Sequence, residues 1–160
     1  MKVFFAADHA GYDLKNALVA HVHTLGYDVE DLGAPALDPA DDYPDYVNAL
    51  AERVAAEEGA RGIIVGGSGQ GEAMAANRVK GVRAAVFYGP ARVTAALEIE
   101  GGKSEDAYDA IRLARRHNDA NVLSIGARFV SGGEADTAVR LFLETPFSGA
   151  ARHARRLAKF

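Results

Sequence analysis

Cysteine and tryptophan are absent from this sequence, methionine occurs twice and proline five times. Without cysteine there is no disulfide framework, no thiolate metal site and no thiol to act as nucleophile or base. No apolar window approaches the roughly 20 residues that span a membrane. The opening apolar run, Val3 to Ala7, breaks off at Asp8-His9, too soon for a signal-peptide core, so the expected location is cytoplasmic. An excess of one charge sign is lacking as well, with 18 Lys and Arg against 22 Asp and Glu. A formal net charge of −4 speaks against general nucleic-acid binding.

What is present fits one soluble domain over residues 1–160, with 49% hydrophobic and 25% charged residues. Lys2 to Ala7 reads as a strand buried on both faces. Leu14, Leu18, Val22 and Leu25 then recur at helical spacing up to Gly26. Tyr27 to Leu32 reads as a second strand, Gly33 to Tyr43 as a loop, and Pro44 to Glu58 as a helix opened by proline. Further strands are predicted at Arg61 to Val65, Arg83 to Phe87 and Asn121 to Ile125. Helices are predicted from Glu72 to about Arg78, from the fourth strand to about Arg116 with a break at Gly101-Gly102, from Gly133 to Glu144 and from Gly149 to Phe160. Short apolar runs alternating with helical patterns mean a doubly wound α/β fold around a parallel sheet. Ligands of such sheets bind beyond the carboxyl ends of the strands.

One strand end is unusual. Gly66-Gly67-Ser68-Gly69-Gln70-Gly71-Glu72 sets four glycines in six residues between a strand and a helix. Glycine permits a tight turn and close backbone approach, and a helix start offers N–H donors to negative charge. The dinucleotide pattern G-x-G-x-x-G does not fit. The phosphate-loop pattern has its glycines at 66 and 71 but needs lysine where Glu72 stands. A carboxylate there repels a nucleotide's phosphates. It suits a ligand whose negative charge develops during reaction, with the acid placed to remove the proton that creates it. At the other end of the chain, Arg152, His153, Arg155, Arg156 and Lys159 occur without an acid among the last 13 residues. Composition leaves two readings of that run, a solvated helix face or an anion pocket.

Seven short motifs appear in order: Asp8-His9-Ala10-Gly11, Asp42-Tyr43-Pro44-Asp45-Tyr46, Gly66 to Glu72, Ala75-Ala76-Asn77, His117-Asn118-Asp119-Ala120-Asn121, Gly126-Ala127-Arg128, and Arg152-His153 with Arg156. Together they closely resemble the ribose-5-phosphate isomerase B / galactose-6-phosphate isomerase family over nearly the whole chain. The resemblance implies a Rossmann-like three-layer α/β/α sandwich with a five-stranded parallel sheet. It also implies a homodimer or tetramer with active sites shared between subunits, no metal and no cofactor. One branch of the family takes its base from a cysteine at the start of the glycine-rich loop. That position is Gly66 here, which implies the other branch, with Glu72 as base.

The implied reaction interconverts ribose 5-phosphate and ribulose 5-phosphate through an enediolate. His117 assists ring opening with Asp8 nearby, and Ser68 and Asn118 hold sugar oxygens. Gly67, Gly69 and Gly71 stabilise the enediolate, Tyr43 lines the sugar site, and His9, Arg128, Arg152 and Arg156 hold the phosphate. The segment from Thr94 to Arg116 is longer than its counterpart in the family, so a tetrose or hexose phosphate stays open as substrate. So does a non-catalytic phosphosugar-binding module. Spacing along the chain shows no metal-ligand cluster.

Overall fold

The computed structural model describes residues 1–97 and 104–159. The strands are β1 (Lys2–Ala7), β2 (Asp28–Asp31), β3 (Arg61–Gly66), β4 (Ala84–Phe87) and β5 (Val122–Gly126). The helices are α1 (Tyr12–Thr24), α2 (Tyr43–Ala56), α3 (Gln70–Ala76), α4 (Asp109–Asn118), α5 (Gly132–Glu144) and α6 (Ala151–Leu157). The five strands form one parallel sheet in the order β2-β1-β3-β5-β4.

Alternation along each strand divides the core in two. Val3, Phe5 and Ala7 of β1 pack with Leu18 and Val22 of α1, Ile111 of α4 and Phe142 of α5. Phe4 and Ala6 face the other way, onto Val47, Leu50 and Val54 of α2 and Ala76 of α3. Both faces are covered, which is why the central strands read as unbroken apolar runs. The chain leaves β1 first toward β2 and later returns on its other side at β3. The strand order therefore reverses between β1 and β3, and their carboxyl ends flank the crevice where doubly wound sheets bind ligands.

Two close contacts seat α1 on the sheet beside that crevice. Gly11 opens α1 so near β3 that a Cβ on it would lie 2.1 Å from the Val65 carbonyl oxygen. That oxygen is backbone in the central sheet and has nowhere to go. Gly11→Ala is accordingly expected to cost about 1–3 kcal/mol of stability, read as a lowered denaturant midpoint. Lys15, fully buried, donates to Asp31 at the end of β2 and to Asn16 Oδ1 at 2.9 Å, tying α1 to the sheet edge.

The expected helix after the fourth strand is largely absent. Residues 88–97 and 104–108 are not helical, and only Asp109–Asn118 is. Gly89, at φ 120°, followed by Pro90 stops helical continuation at once. The two arms of the excursion are joined by Ala91 N–H donating to the Ala107 carbonyl at 2.8 Å. The predicted break at Gly101-Gly102 lies outside the described residues. The excursion leaves from the carboxyl end of β4, where Tyr88 meets Phe129 edge to face at 5.5 Å.

Candidate active site

β3 ends at Gly66, and the next three residues turn the chain into α3. Gly69 adopts a left-handed backbone, φ 73°, and its carbonyl accepts the Ser124 hydroxyl from β5 at 2.7 Å. Ser68 is partly buried, and its hydroxyl accepts the Gln70 N–H at 3.3 Å. Three side chains fill the space that the glycines leave. Glu72 folds back from the first turn of α3, so that a Cβ at Gly66 would sit 1.7 Å from its Oε1. Arg128, two residues past β5, lays its guanidinium on Gly67, with Cζ 3.0 Å from where a Cβ would be. Tyr43, the first residue of α2, brings its hydroxyl to Gly71, 2.6 Å from a Cβ there. A side chain at Gly66, Gly67 or Gly71 would have to displace the group seated there.

Glu72 is only 5% exposed. Burial pushes its carboxyl above the ordinary glutamate range. Its own backbone N–H pulls down, Asp8 adds to the rise and Arg128 opposes it. A carboxyl raised in this way, beside a loop of backbone donors, is suited to take and return a carbon-bound proton.

Asp8 and His9 follow β1 across the crevice. Asp8 is 7% exposed, and its Oδ1 accepts the Ala10 N–H at 3.0 Å. His9 is held by Asp41, whose Oδ1 accepts the His9 backbone N–H at 3.1 Å and lies 2.6 Å from the ring Nδ1. Asp41 belongs to the loop before α2 and is absent from the residues singled out by motif. Its signal was an acid adjoining the Asp42-Tyr43 motif, and only the fold brings it across 32 positions to His9. Asp8, His9 and Asp41 thus place one donor atom each within 4.8 Å of the others, a grouping that spacing along the chain does not predict. The ion pair accounts for the closeness of His9 and Asp41.

The remaining predicted residues stand elsewhere. α4 ends at Asn118 and β5 begins at Val122, so His117 and Asn118 lie at the amino edge of the sheet, opposite Glu72. Hydrogen bonds tie the corner between α4 and β5. Asp119 ends α4 in a left-handed conformation, φ 43°. Buried Arg115 donates to Asp119 Oδ1 at 2.8 Å, to the Ala120 carbonyl at 2.5 Å and to the Thr145 carbonyl at 3.1 Å. α6 packs on α4 there. The His117 and His153 rings lie 4.1 Å apart, and Arg152 Nε donates to His153 Nε2 at 3.1 Å. Asn118 and Arg156 are exposed. Within one chain the structure brings together Asp8, His9, Tyr43, Gly67, Ser68, Gly69, Gly71, Glu72 and Arg128. It gathers His117, Asn118, Arg152 and Arg156 into a second group at the far edge. No described helix is long and apolar enough to cross a membrane.

Comparison with known proteins matches these features to one family. The sequence model described as Ribose/Galactose Isomerase matches residues 3–103 and 98–160. Ribose-5-phosphate isomerase B of Mycobacterium tuberculosis is 41% identical over 157 residues, covering 98% of this chain and 86% of that one. A crystal structure of ribose-5-phosphate isomerase B from Mycoplasma genitalium with bound ribulose-5-phosphate superposes with a TM-score of 0.84. Its identity is 36%, and the match covers 99% of this chain and 92% of that chain. The Clostridium thermocellum enzyme of the same name gives a TM-score of 0.84 at 36% identity, covering 99% and 94%. With its five-stranded parallel sheet, this chain belongs to the ribose/galactose isomerase family and is a sugar-phosphate isomerase.

Proposed function

We propose that this chain, acting as one domain over residues 1–160 in a cytoplasmic homodimer, interconverts ribose 5-phosphate and ribulose 5-phosphate through an enediolate. No metal or cofactor takes part in the proposed reaction. The observation that carries the reading is the buried Glu72 carboxyl packed on the glycine-rich loop. A relative with 36% identity that binds ribulose-5-phosphate supports the choice of substrate.

In the proposed cycle, His117 and Asp8 assist opening of the sugar ring by moving a proton at the ring oxygen. Glu72 takes the C2 proton of the open aldose. The electrons of that C–H bond form the C1–C2 double bond as negative charge moves to the C1 oxygen, where the N–H groups of Gly67, Gly69 and Gly71 stabilise it. The enediolate then shifts its remaining hydroxyl proton between the two oxygens, and Glu72 returns its proton to C1, leaving the ketose. Ser68, Asn118 and Tyr43 hold sugar hydroxyls, and His9, Arg128, Arg152 and Arg156 hold the phosphate.

Because His117, Asn118, Arg152 and Arg156 stand at the opposite edge from Glu72, one chain does not complete the site. A second copy supplies them. Arg152 and Arg156 are four residues apart on α6 and present their guanidiniums along one helical face. The test is a coupled assay on ribose 5-phosphate. Arg152→Ala is expected to raise KM roughly 10- to 100-fold, the value of a hydrogen bond to a charged group. Equal turnover of unphosphorylated ribose by the unaltered protein contradicts the phosphate clamp.

A further inference from the structure

We propose that Asp41 is a positioning residue for phosphate recognition: it orients His9 and holds it as an imidazolium whose second ring N–H is left to donate to the substrate's anion. Asp41 Oδ1 grips His9 at two points, the backbone N–H at 3.1 Å and Nδ1 at 2.6 Å, which sets both the start of the turn after β1 and the ring's orientation. The Asp41 side chain is only 5% exposed, and among the described residues its Oδ2 is buried with no hydrogen-bond partner. A carboxylate buried like this is stable only beside a positive charge. His9 is the group that can supply one.

The tautomers lead to the same result. A neutral imidazole that donates from Nδ1 to Asp41 carries a lone pair on Nε2, which repels a phosphate. The cation donates from both nitrogens. The hydrogen bond to Asp41 raises the His9 pKa above its ordinary value, burial opposes this, Asp8 and the Asp41 charge add to it, and Arg128 lowers it. Tyr46, also facing Asp41, has its phenol raised by burial and by that same charge, and so stays neutral. The imidazolium therefore persists to higher pH than in an isolated histidine and is lost as pH rises through the raised pKa.

This inference rests on His9 as a phosphate ligand in the proposed function, and the experiment separates the two. Steady-state kinetics on ribose 5-phosphate are measured against pH for the unaltered protein, Asp41→Asn, Asp41→Glu and His9→Gln. Sulfate serves as a competitive inhibitor, because it keeps its charge over the whole range. Asp41→Asn is expected to keep kcat within about twofold while KM and the sulfate inhibition constant rise about tenfold near neutral pH, the loss of one charge-assisted hydrogen bond. The fall in affinity with rising pH begins at lower pH than in the unaltered protein, and the difference closes under acid conditions, where His9 is charged without help. Asp41→Glu restores part of the affinity. If His9→Gln raises KM but Asp41→Asn leaves the pH profile of KM unchanged, or raises KM equally at every pH, the role given to Asp41 is wrong. If His9→Gln leaves KM and sulfate inhibition untouched, the phosphate-ligand reading falls and this inference with it.

Discussion

Glu72→Gln is expected to lower kcat about a thousandfold, within the range for loss of a general base, while substrate still binds with near-normal affinity. The amide preserves shape and packing over Gly66 and removes only basicity. Two further signs distinguish this outcome from simple damage. The folded carboxyl binds its proton more tightly than the unfolded chain does, because burial raises its pKa. Ionisation therefore subtracts stability as pH rises through the interval between the unfolded and folded pKa values. The Gln variant carries no such charge, and at neutral pH it is expected to melt no lower than the unaltered protein. The same shift puts the acid limb of kcat/KM above the ordinary glutamate range, since activity disappears as Glu72 takes up its proton. Full turnover in Glu72→Gln, or an acid limb at the ordinary carboxylate value, contradicts the assignment.

Gly66→Ala is expected to give the second-largest effect, about a 100-fold fall in kcat with the fold intact. The added carbon would lie 1.7 Å from Glu72 Oε1, 2.2 Å from Cδ and 2.9 Å from Cγ. Those atoms are the movable end of a side chain, so the carboxyl swings aside and the backbone stays. Displacing a catalytic group by about 1 Å can cost about 100-fold. Gly11→Ala makes the opposite case, because the obstacle there is the Val65 carbonyl of β3. It is expected to lose stability while surviving molecules stay active. Circular dichroism and thermal melts measured beside kinetics separate the two. The contact also explains why Gly66 and Glu72 go together: a side chain at 66 and a carboxyl folded over it compete for one space.

Periodicity and glycine placement were enough for the α/β layers, because both faces of the sheet are buried and each strand reads as an apolar run. Lys2–Ala7, the turn at Gly66 to Glu72 and the helix at 132–144 all announce themselves locally. The segment after β4 did not. Its alanines and charges suit a helix by propensity, but Gly89-Pro90 turns the backbone away and a tertiary hydrogen bond between Ala91 and Ala107 takes over. In the site, Glu72 was legible from its position after the glycines, and His9 and Arg128 from the family motifs. Asp41 was not, since it meets His9 only across 32 positions of chain. The buried cations Lys15 and Arg115 likewise look like surface residues until the fold shows their partners. The separation of Glu72 from Arg152 depends on α6 packing against α4, a tertiary contact that no local pattern contains.

That separation provides the most direct test of a site assembled from two copies. Glu72→Gln and Arg152→Ala are each purified, mixed, unfolded and refolded together, then assayed at low ribose 5-phosphate, where each variant alone keeps at most about a tenth of the unaltered activity. A shared site predicts recovery of about a quarter of the unaltered activity, because half of randomly paired dimers are hybrids and each hybrid has one intact site of two. Activity no greater than the sum of the two separate variants contradicts the assembly of Glu72 and Arg152 from different chains.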